Sequence, residues 1–145
     1  MYPCTHNPSW VVFYNPKICI MDKVFYGIKF CNSNILCTFL NSTFTLLQAE
    51  NLGYSLMGGG GSFITVEDLK KLLILDSKII EGIGLSFEID LHRKYKSIYQ
   101  EFGFDPTKPI REQQPNPLPD RKALDDVVFD ALGLTQEERK EVYWA

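Results

Sequence analysis

Histidines, paired cysteines and long apolar runs are scarce in this sequence. Two histidines and four cysteines occur in 145 residues. No two cysteines form a C-x-x-C pair, which removes the commonest zinc-ligand spacing. Cys4, His6 and His92 are the nearest approach to a ligand set, and their spacing matches no common site, so we expect no metal. No run approaches the roughly 18 apolar residues of a membrane helix, and we expect no membrane partner.

The first residues also lack the basic and apolar regions of a secretory signal. Cys19 and Cys37 lie within apolar stretches, which is typical of buried, reduced thiols rather than of a disulfide framework. Together these features predict a cytoplasmic protein.

An excess of positive charge is missing as well. Fifteen basic and eighteen acidic side chains give a net charge of −3, whereas nucleic-acid-binding domains are usually strongly basic. The imbalance lies in the second half, because residues 76–145 carry ten Lys or Arg and fourteen Asp or Glu. An apolar content of 45% is enough for one globular core, but the length excludes a complete dinucleotide-binding enzyme.

Catalytic motifs are equally sparse. Gly58–Gly61 is followed by no Gly-Lys-Ser/Thr sequence, which excludes a P-loop, and two histidines form no recognisable nucleophilic constellation. Asn7-Pro8-Ser9-Trp10 is a near miss of the Asn-Pro-Pro-Tyr turn that methyltransferases use to hold an exocyclic amine. No buried strand precedes it, which favours a surface turn. We therefore expect the chain alone to be non-catalytic and not to bind S-adenosylmethionine.

Apolar periodicity predicts an α+β fold, with a small antiparallel β-sheet packed on helices. Short β-prone runs at Trp10–Tyr14 and Val24–Phe30 are the expected strands, with a possible third at Ile18–Met21. Apolar residues at three- and four-residue intervals predict one helix from Asn34 to Asn51, which Gly53 ends.

The segment after the glycines should contain alternating short elements. Phe63–Thr65 is a predicted strand, and Thr65 with Asp68 forms a capping box that opens a helical turn. Leu73–Leu75 is predicted as a buried strand. Lys78 to Phe102 is helix-like, with interruptions at two glycines.

The C-terminal region predicts an αα-hairpin after a Pro-rich arm. Five prolines between residues 105 and 119 indicate an extended segment. Asp120 is the predicted cap of the next helix, Gly133 ends it, and Thr135 with Glu138 forms the capping box of the last one. We therefore divide the chain into an α+β domain (1–104), the arm (105–119) and the hairpin (120–145), and we expect the last helix to be truncated.

Two features leave alternatives open. The four glycines at 58–61 are either a flexible connector or a loop that lets the backbone approach nucleic-acid phosphates closely. The basic run His92–Lys96 either contacts phosphates or forms a solvated helix face.

The order of motifs resembles a known family. Phe39-Leu40-Asn41-Ser42-Thr43, then the glycines, then Val66-Glu67-Asp68-Leu69-Lys70-Lys71-Leu72 is similar to the C-terminal target-recognition region of adenine-N6 DNA methyltransferases of type II restriction–modification systems in prokaryotes. The stretch from Pro119 to Asp130, followed by Leu132 to Arg139, is similar to the extreme C-terminus of those enzymes.

The resemblance implies a DNA-binding module without its catalytic domain, which carries both the S-adenosylmethionine loop and the catalytic turn. Its implied partners are double-stranded DNA and that methyltransferase domain, with possible self-association. The alternative is a protein–protein interaction domain or remnant that does not bind DNA. The candidate DNA-binding residues are Asn41, Ser42, Tyr54, Gly58, Gly59, Gly60, Gly61, Ser62, Lys70, Lys71, Arg93, Lys94 and Lys96.

Overall fold

A computed structural model describes residues 2–3, 5–6, 11–15, 17, 20, 25–29, 33–55, 62–76, 78–79 and 96–145. Most of the regular structure in these ranges is helical. In this part of the chain, no helix has the length and apolar character needed to cross a bilayer.

The predicted helix over 34–51 is instead two helices, α1 (Ser33–Leu40) and α2 (Thr43–Leu52). Ser42 separates them with an extended backbone, and its side chain accepts a hydrogen bond from the Thr45 amide at 3.3 Å. Serine competes with helical hydrogen bonding through its own hydroxyl and is favoured at N-caps. The apolar spacing continues across this break, which is why periodicity alone joined the two helices. Gly53 ends α2, as predicted.

Strand structure among the described residues is limited to two-residue strands. These are β1 (Tyr2–Pro3), β2 (Thr5–His6), β3 (Phe25–Tyr26), β4 (Tyr54–Ser55) and β5 (Ser62–Phe63). All pairings are antiparallel: β1 with β3, and β5 between β2 and β4. A complete sheet layer remains a prediction.

The predicted strands are only partly present. Residues 11–14 have no regular secondary structure, and the strand expected at Val24–Phe30 contracts to Phe25–Tyr26 within the described residues. The possible strand at Ile18–Met21 lies outside those residues, apart from Ile20. Short strands of this kind depend on partners elsewhere in the chain, which local propensity does not specify.

The turn after β5 agrees with the sequence, but the strand after it does not. Helix α3 (Val66–Leu69) begins with the predicted capping box between Thr65 and Asp68. Leu73–Leu75 is irregular and largely exposed, so the prediction of a buried strand is wrong.

The Pro-rich arm is docked onto the preceding turn and is not extended throughout. It follows α4 (Ile98–Glu101) and contains a 3-10 turn at Ile110–Glu112. The Asn116 and Leu118 amides donate to the carbonyls of Phe102 and Glu101 at 3.0 and 2.9 Å. Backbone donors of the non-proline residues therefore hold this segment in place.

The C-terminal hairpin consists of α5 (Pro119–Leu132) and α6 (Gln136–Trp144). Leu118, not Asp120, is the N-cap of α5, because Pro119 is well suited to the first helical position. Gly133 ends α5 at φ 69°, and the capping box at Thr135 and Glu138 opens α6, both as predicted.

Two apolar clusters contact α2 through Phe44 and Leu46. One contains Phe39, Leu40 and Ile64, and the other surrounds Phe102, Phe129 and Tyr143. Both α5 and α6 contact α2, so the hairpin packs against the helix that begins directly after Asn41 and Ser42.

Candidate nucleic-acid interface

The break between α1 and α2 is a buried polar hub. Asn41 is 6% exposed and Ser42 is fully buried. The Asn41 side-chain amide accepts from the Val12 amide at 2.9 Å and donates to the Val12 carbonyl at 2.8 Å. It therefore pairs with both polar groups of one backbone residue, as a neighbouring strand does.

Helix α5 places a positive charge on one side of this break and a negative charge on the other. The Arg121 guanidinium donates to the Asn41 carbonyl, beyond the end of α1. One turn later, the Asp125 carboxylate accepts from the Thr43 amide at 2.7 Å and from the Thr43 hydroxyl at 2.5 Å. A cation at a helix C-terminus and an anion at an N-terminus are the favourable arrangement for the two helix dipoles.

Further groups complete the hub. The Tyr143 hydroxyl donates to Asp125 at 3.0 Å, and Glu101 forms an ion pair with Arg121 at 3.5 Å. Burial raises the pKa of Asp125, while the Arg121 charge and the donors Thr43 and Tyr143 oppose that rise. Burial and the Asp125 charge also raise the pKa of Tyr143, so its hydroxyl keeps its proton.

Asn41 and Ser42 are thus structural residues. Both were candidate DNA contacts, but their polar atoms are buried and bonded within the chain. The sequence signal for their true role lies in α5, where Arg121 and Asp125 interrupt an otherwise apolar face at a four-residue interval. Charged residues at buried helix positions indicate partners on another element.

Lys70 and Lys71 occupy a different setting, at the exposed end of α3. Their side chains are 64% and 61% exposed. The Lys70 ammonium lies 2.7 Å from Glu67, and the Lys71 ammonium lies 3.0 Å from Asp68. Hydrogen bonds from Thr65 and Lys71 lower the pKa of Asp68 to about 2, so this carboxylate is ionised at neutral pH.

The glycine run is framed by a described strand pair. Tyr54 is opposite Phe63 and Ser55 is opposite Ser62. This pairing brings the two ends of the 56–61 connection to adjacent backbone positions, three residues before the Thr65 cap. The candidate side chains of Tyr54 and Ser62, and the glycines themselves, lie outside what the structure describes.

Of the remaining candidates, the structure describes Lys96 but not Arg93 or Lys94. Lys96 is exposed, and its amide donates to Glu101 at 3.2 Å. Arg93 and Lys94 lie outside the described residues, as do His92 and the turn at residues 7–10. Among the described candidates, Lys70 and Lys71 are thus an adjacent exposed pair, whereas Asn41 and Ser42 lie in the interior.

An apolar groove was not anticipated from the sequence. It has a volume of about 330 Å³ and lies between α2, α4 and α6. Leu47, Tyr99 and Trp144 are among its lining residues, and Glu50 is the charged side chain on its wall. The groove borders the hub, because Thr43 and Tyr143 contribute to both.

Comparisons of the chain with protein-family models, with curated proteins and with solved structures found no match.

Proposed function

We propose that this chain is a DNA-binding target-recognition module of an adenine-N6 DNA methyltransferase of a restriction–modification system. In this proposal it binds double-stranded DNA and works with a methyltransferase domain that holds S-adenosylmethionine and performs the chemistry. The chain alone is not catalytic, and its place of action is the cytoplasm. In the same proposal, its short antiparallel strands belong to the β-sheet of an α+β fold.

The exposed lysine pair on a fixed turn is the observation that carries the proposal. Phosphate contacts position a DNA-binding protein, and lysine ammoniums are frequent phosphate ligands. The capping box at Thr65 fixes the turn, and Leu72, which is buried, anchors its end. Lys70 and Lys71 therefore extend from a backbone that is preorganised for binding.

The acidic neighbours of these lysines do not oppose this role strongly. The Lys70–Glu67 pair is exposed at both ends, and such surface pairs contribute about 0 to 1 kcal/mol. Lys71 has the less exposed Asp68 as its partner. A phosphate that replaces Glu67 as the partner of Lys70 also releases a condensed counterion from the DNA. Exchange of partners is therefore favourable at low salt.

The order of the elements supports a fixed position for the turn that carries Lys70 and Lys71. The Asn-Ser-Thr break, the strand pair around the glycines and the lysine turn follow each other within residues 41–71. The hub fixes the break, and the antiparallel register fixes the ends of the glycine segment. Loops on such a rigid scaffold are frequent sites of binding.

Duplex affinity at several salt concentrations tests the proposal. The variant Lys70→Ala/Lys71→Ala should bind all duplexes more weakly, and its salt slope should be smaller by about two. Lys108→Ala/Lys122→Ala is the matched control, because both lysines are exposed and ion-paired to a neighbouring acid on their own segment. No retention of DNA by the unaltered chain at low salt would refute the DNA-binding proposal.

The apolar groove favours a second candidate function, which is interaction with another polypeptide. Its walls are mainly aliphatic and aromatic, and the Glu50 carboxylate on its wall could pair with a basic side chain of a partner. An apolar segment that carries Lys or Arg fits this chemistry. Under this alternative, DNA is not retained, the chain self-associates or binds the methyltransferase domain, and Leu47→Glu abolishes that association in sedimentation velocity.

A further inference from the structure

Two aliphatic side chains are exposed directly after the lysine turn. Leu73 is 72% exposed and Ile74 is 43% exposed, although both follow Leu72, which is buried. The two side chains are neighbours in sequence and directly follow two exposed lysines, so apolar and cationic groups are exposed within five residues.

A specific contact holds this segment outward. The Gln48 side chain on α2 accepts from the Leu73 amide at 2.8 Å and donates to the Leu73 carbonyl at 3.1 Å. Both backbone polar groups of Leu73 are therefore satisfied by one amide, which fixes the backbone against α2. The Leu73 side chain does not turn in to the core, even though the core cluster includes its neighbour Leu72.

The exposed aliphatic pair follows the two lysines closely in sequence. Lys70, Lys71, Leu73 and Ile74 are all exposed, and only the buried Leu72 separates the two pairs. We name these four exposed residues the display strip. Its two parts match two features of duplex DNA, which offers phosphates along its backbone and the thymine methyl as an apolar group on a base edge.

We propose that Leu73 and Ile74 make apolar contacts with thymine methyl groups in the major groove, while Lys70 and Lys71 hold the flanking phosphates and Gln48 positions the strip. This inference rests on the proposed DNA-binding function and adds the base-contacting chemistry to it. Lysine contacts carry affinity without sequence information, whereas contact with a methyl group distinguishes thymine from cytosine and from uracil.

The test compares thymine with uracil in an otherwise identical duplex. The unaltered chain first enriches tight-binding duplexes from a randomised pool, and the enriched duplex is then prepared with deoxyuridine in place of thymine. Each lost methyl contact should weaken binding about fourfold, since burying one methylene-sized group contributes about 0.8 kcal/mol. Leu73→Ser/Ile74→Ser should bind both duplexes equally, with an unchanged salt slope because no charge is removed.

Controls separate positioning from folding. Ile79→Ser removes an aliphatic side chain of similar exposure outside the strip and should keep the thymine preference. Gln48→Ala should lose that preference at an unchanged salt slope and nearly unchanged melting temperature. Gln48→Glu, which still accepts from Leu73 but no longer donates, should lie between Gln48→Ala and the unaltered chain.

The possible outcomes distinguish the two proposals. If the unaltered chain enriches no duplex, the proposed DNA-binding function fails, and the strip assignment fails with it. If a duplex is enriched but Leu73→Ser/Ile74→Ser retains the full thymine preference, DNA binding stands and the strip assignment is overturned.

Discussion

Asp125 in the hub and Asp68 in the lysine turn both accept hydrogen bonds, yet their pKa values are shifted in opposite directions. Burial raises the pKa of Asp125, whereas hydrogen bonds on the surface lower that of Asp68 from 3.8 to about 2. Burial without enough donors penalises a charge, while the hydrogen-bond donors around the partly buried Asp68 carboxylate favour it. The hub thus places its charges in the interior, whereas the turn exposes its two ammonium groups.

The two shifts also give opposite dependences on pH. A carboxyl whose pKa is raised by folding stabilises the protein below its unfolded pKa, and that contribution is lost as pH rises through the folded value. A carboxyl whose pKa is lowered contributes above its unfolded pKa and loses the contribution as pH falls. Asp68 has a lowered pKa, so its contribution to stability is lost as the pH falls from 3.8 to about 2.

The largest effect is expected from Asp125→Ala. It removes the acceptor of Thr43 and Tyr143 and also the negative charge near Arg121, which keeps its buried ion pair with Glu101. Breaking such a buried arrangement costs about 3 to 5 kcal/mol, even where the intact arrangement contributes little. Urea denaturation measures the loss. Asp126→Ala is the control, and a cost below that of the control would contradict the assignment of the hub.

Gly103→Ala should have the next largest effect, because Gly103 lets the arm approach the turn after α4. A Cβ there would lie 2.1 Å from the Asn116 carbonyl oxygen, at a φ of 74°. We expect a loss of about 3 kcal/mol in the free energy of unfolding. Gly133→Ala is the matched control at φ 69° with no atom within 4 Å, and it should cost only about 1 kcal/mol. Equal losses would argue against the close approach.

Tyr143→Phe tests one donor of the hub while keeping the ring that packs on Phe102 and Phe129. Loss of a hydrogen bond to a charged acceptor costs about 1.5 kcal/mol or more. The measurement is thermal unfolding of the two proteins at neutral pH. A difference within error would show that Thr43 alone suffices to hold the Asp125 carboxylate.

The smallest effect is expected in the turn. Asp68→Asn removes the carboxylate whose pKa is lowered. Between pH 3.8 and about 2, the stability of this variant should therefore fall less steeply than that of the unaltered chain. Unfolding curves recorded across this acid range measure the slope. Asp130→Asn, which removes an exposed ion-paired carboxylate, is the control, and an identical change in slope would argue against a specific effect of Asp68.

Some of the candidate site follows from local sequence and some does not. Thr65 with Asp68 was identified as a capping box from residue types and a three-residue spacing, and the exposed lysines follow from their place in that turn. Asn41 and Ser42 are candidate DNA contacts by sequence, and the structure places both in the interior, which their residue types alone do not indicate. Their partners, Val12, Arg121 and Thr45, include residues 29 and 80 positions away.

The sequence by itself determined the local boundaries: Gly53 and Gly133 end their helices, and Thr65 and Thr135 begin theirs. Caps act within one helical turn, so neighbouring residues suffice to specify them. Only the tertiary structure decided that Asp125 is buried and that Leu73 is exposed. Each of these depends on contacts between distant segments, because the energy of a buried charge or an exposed aliphatic side chain is set by whatever packs against it.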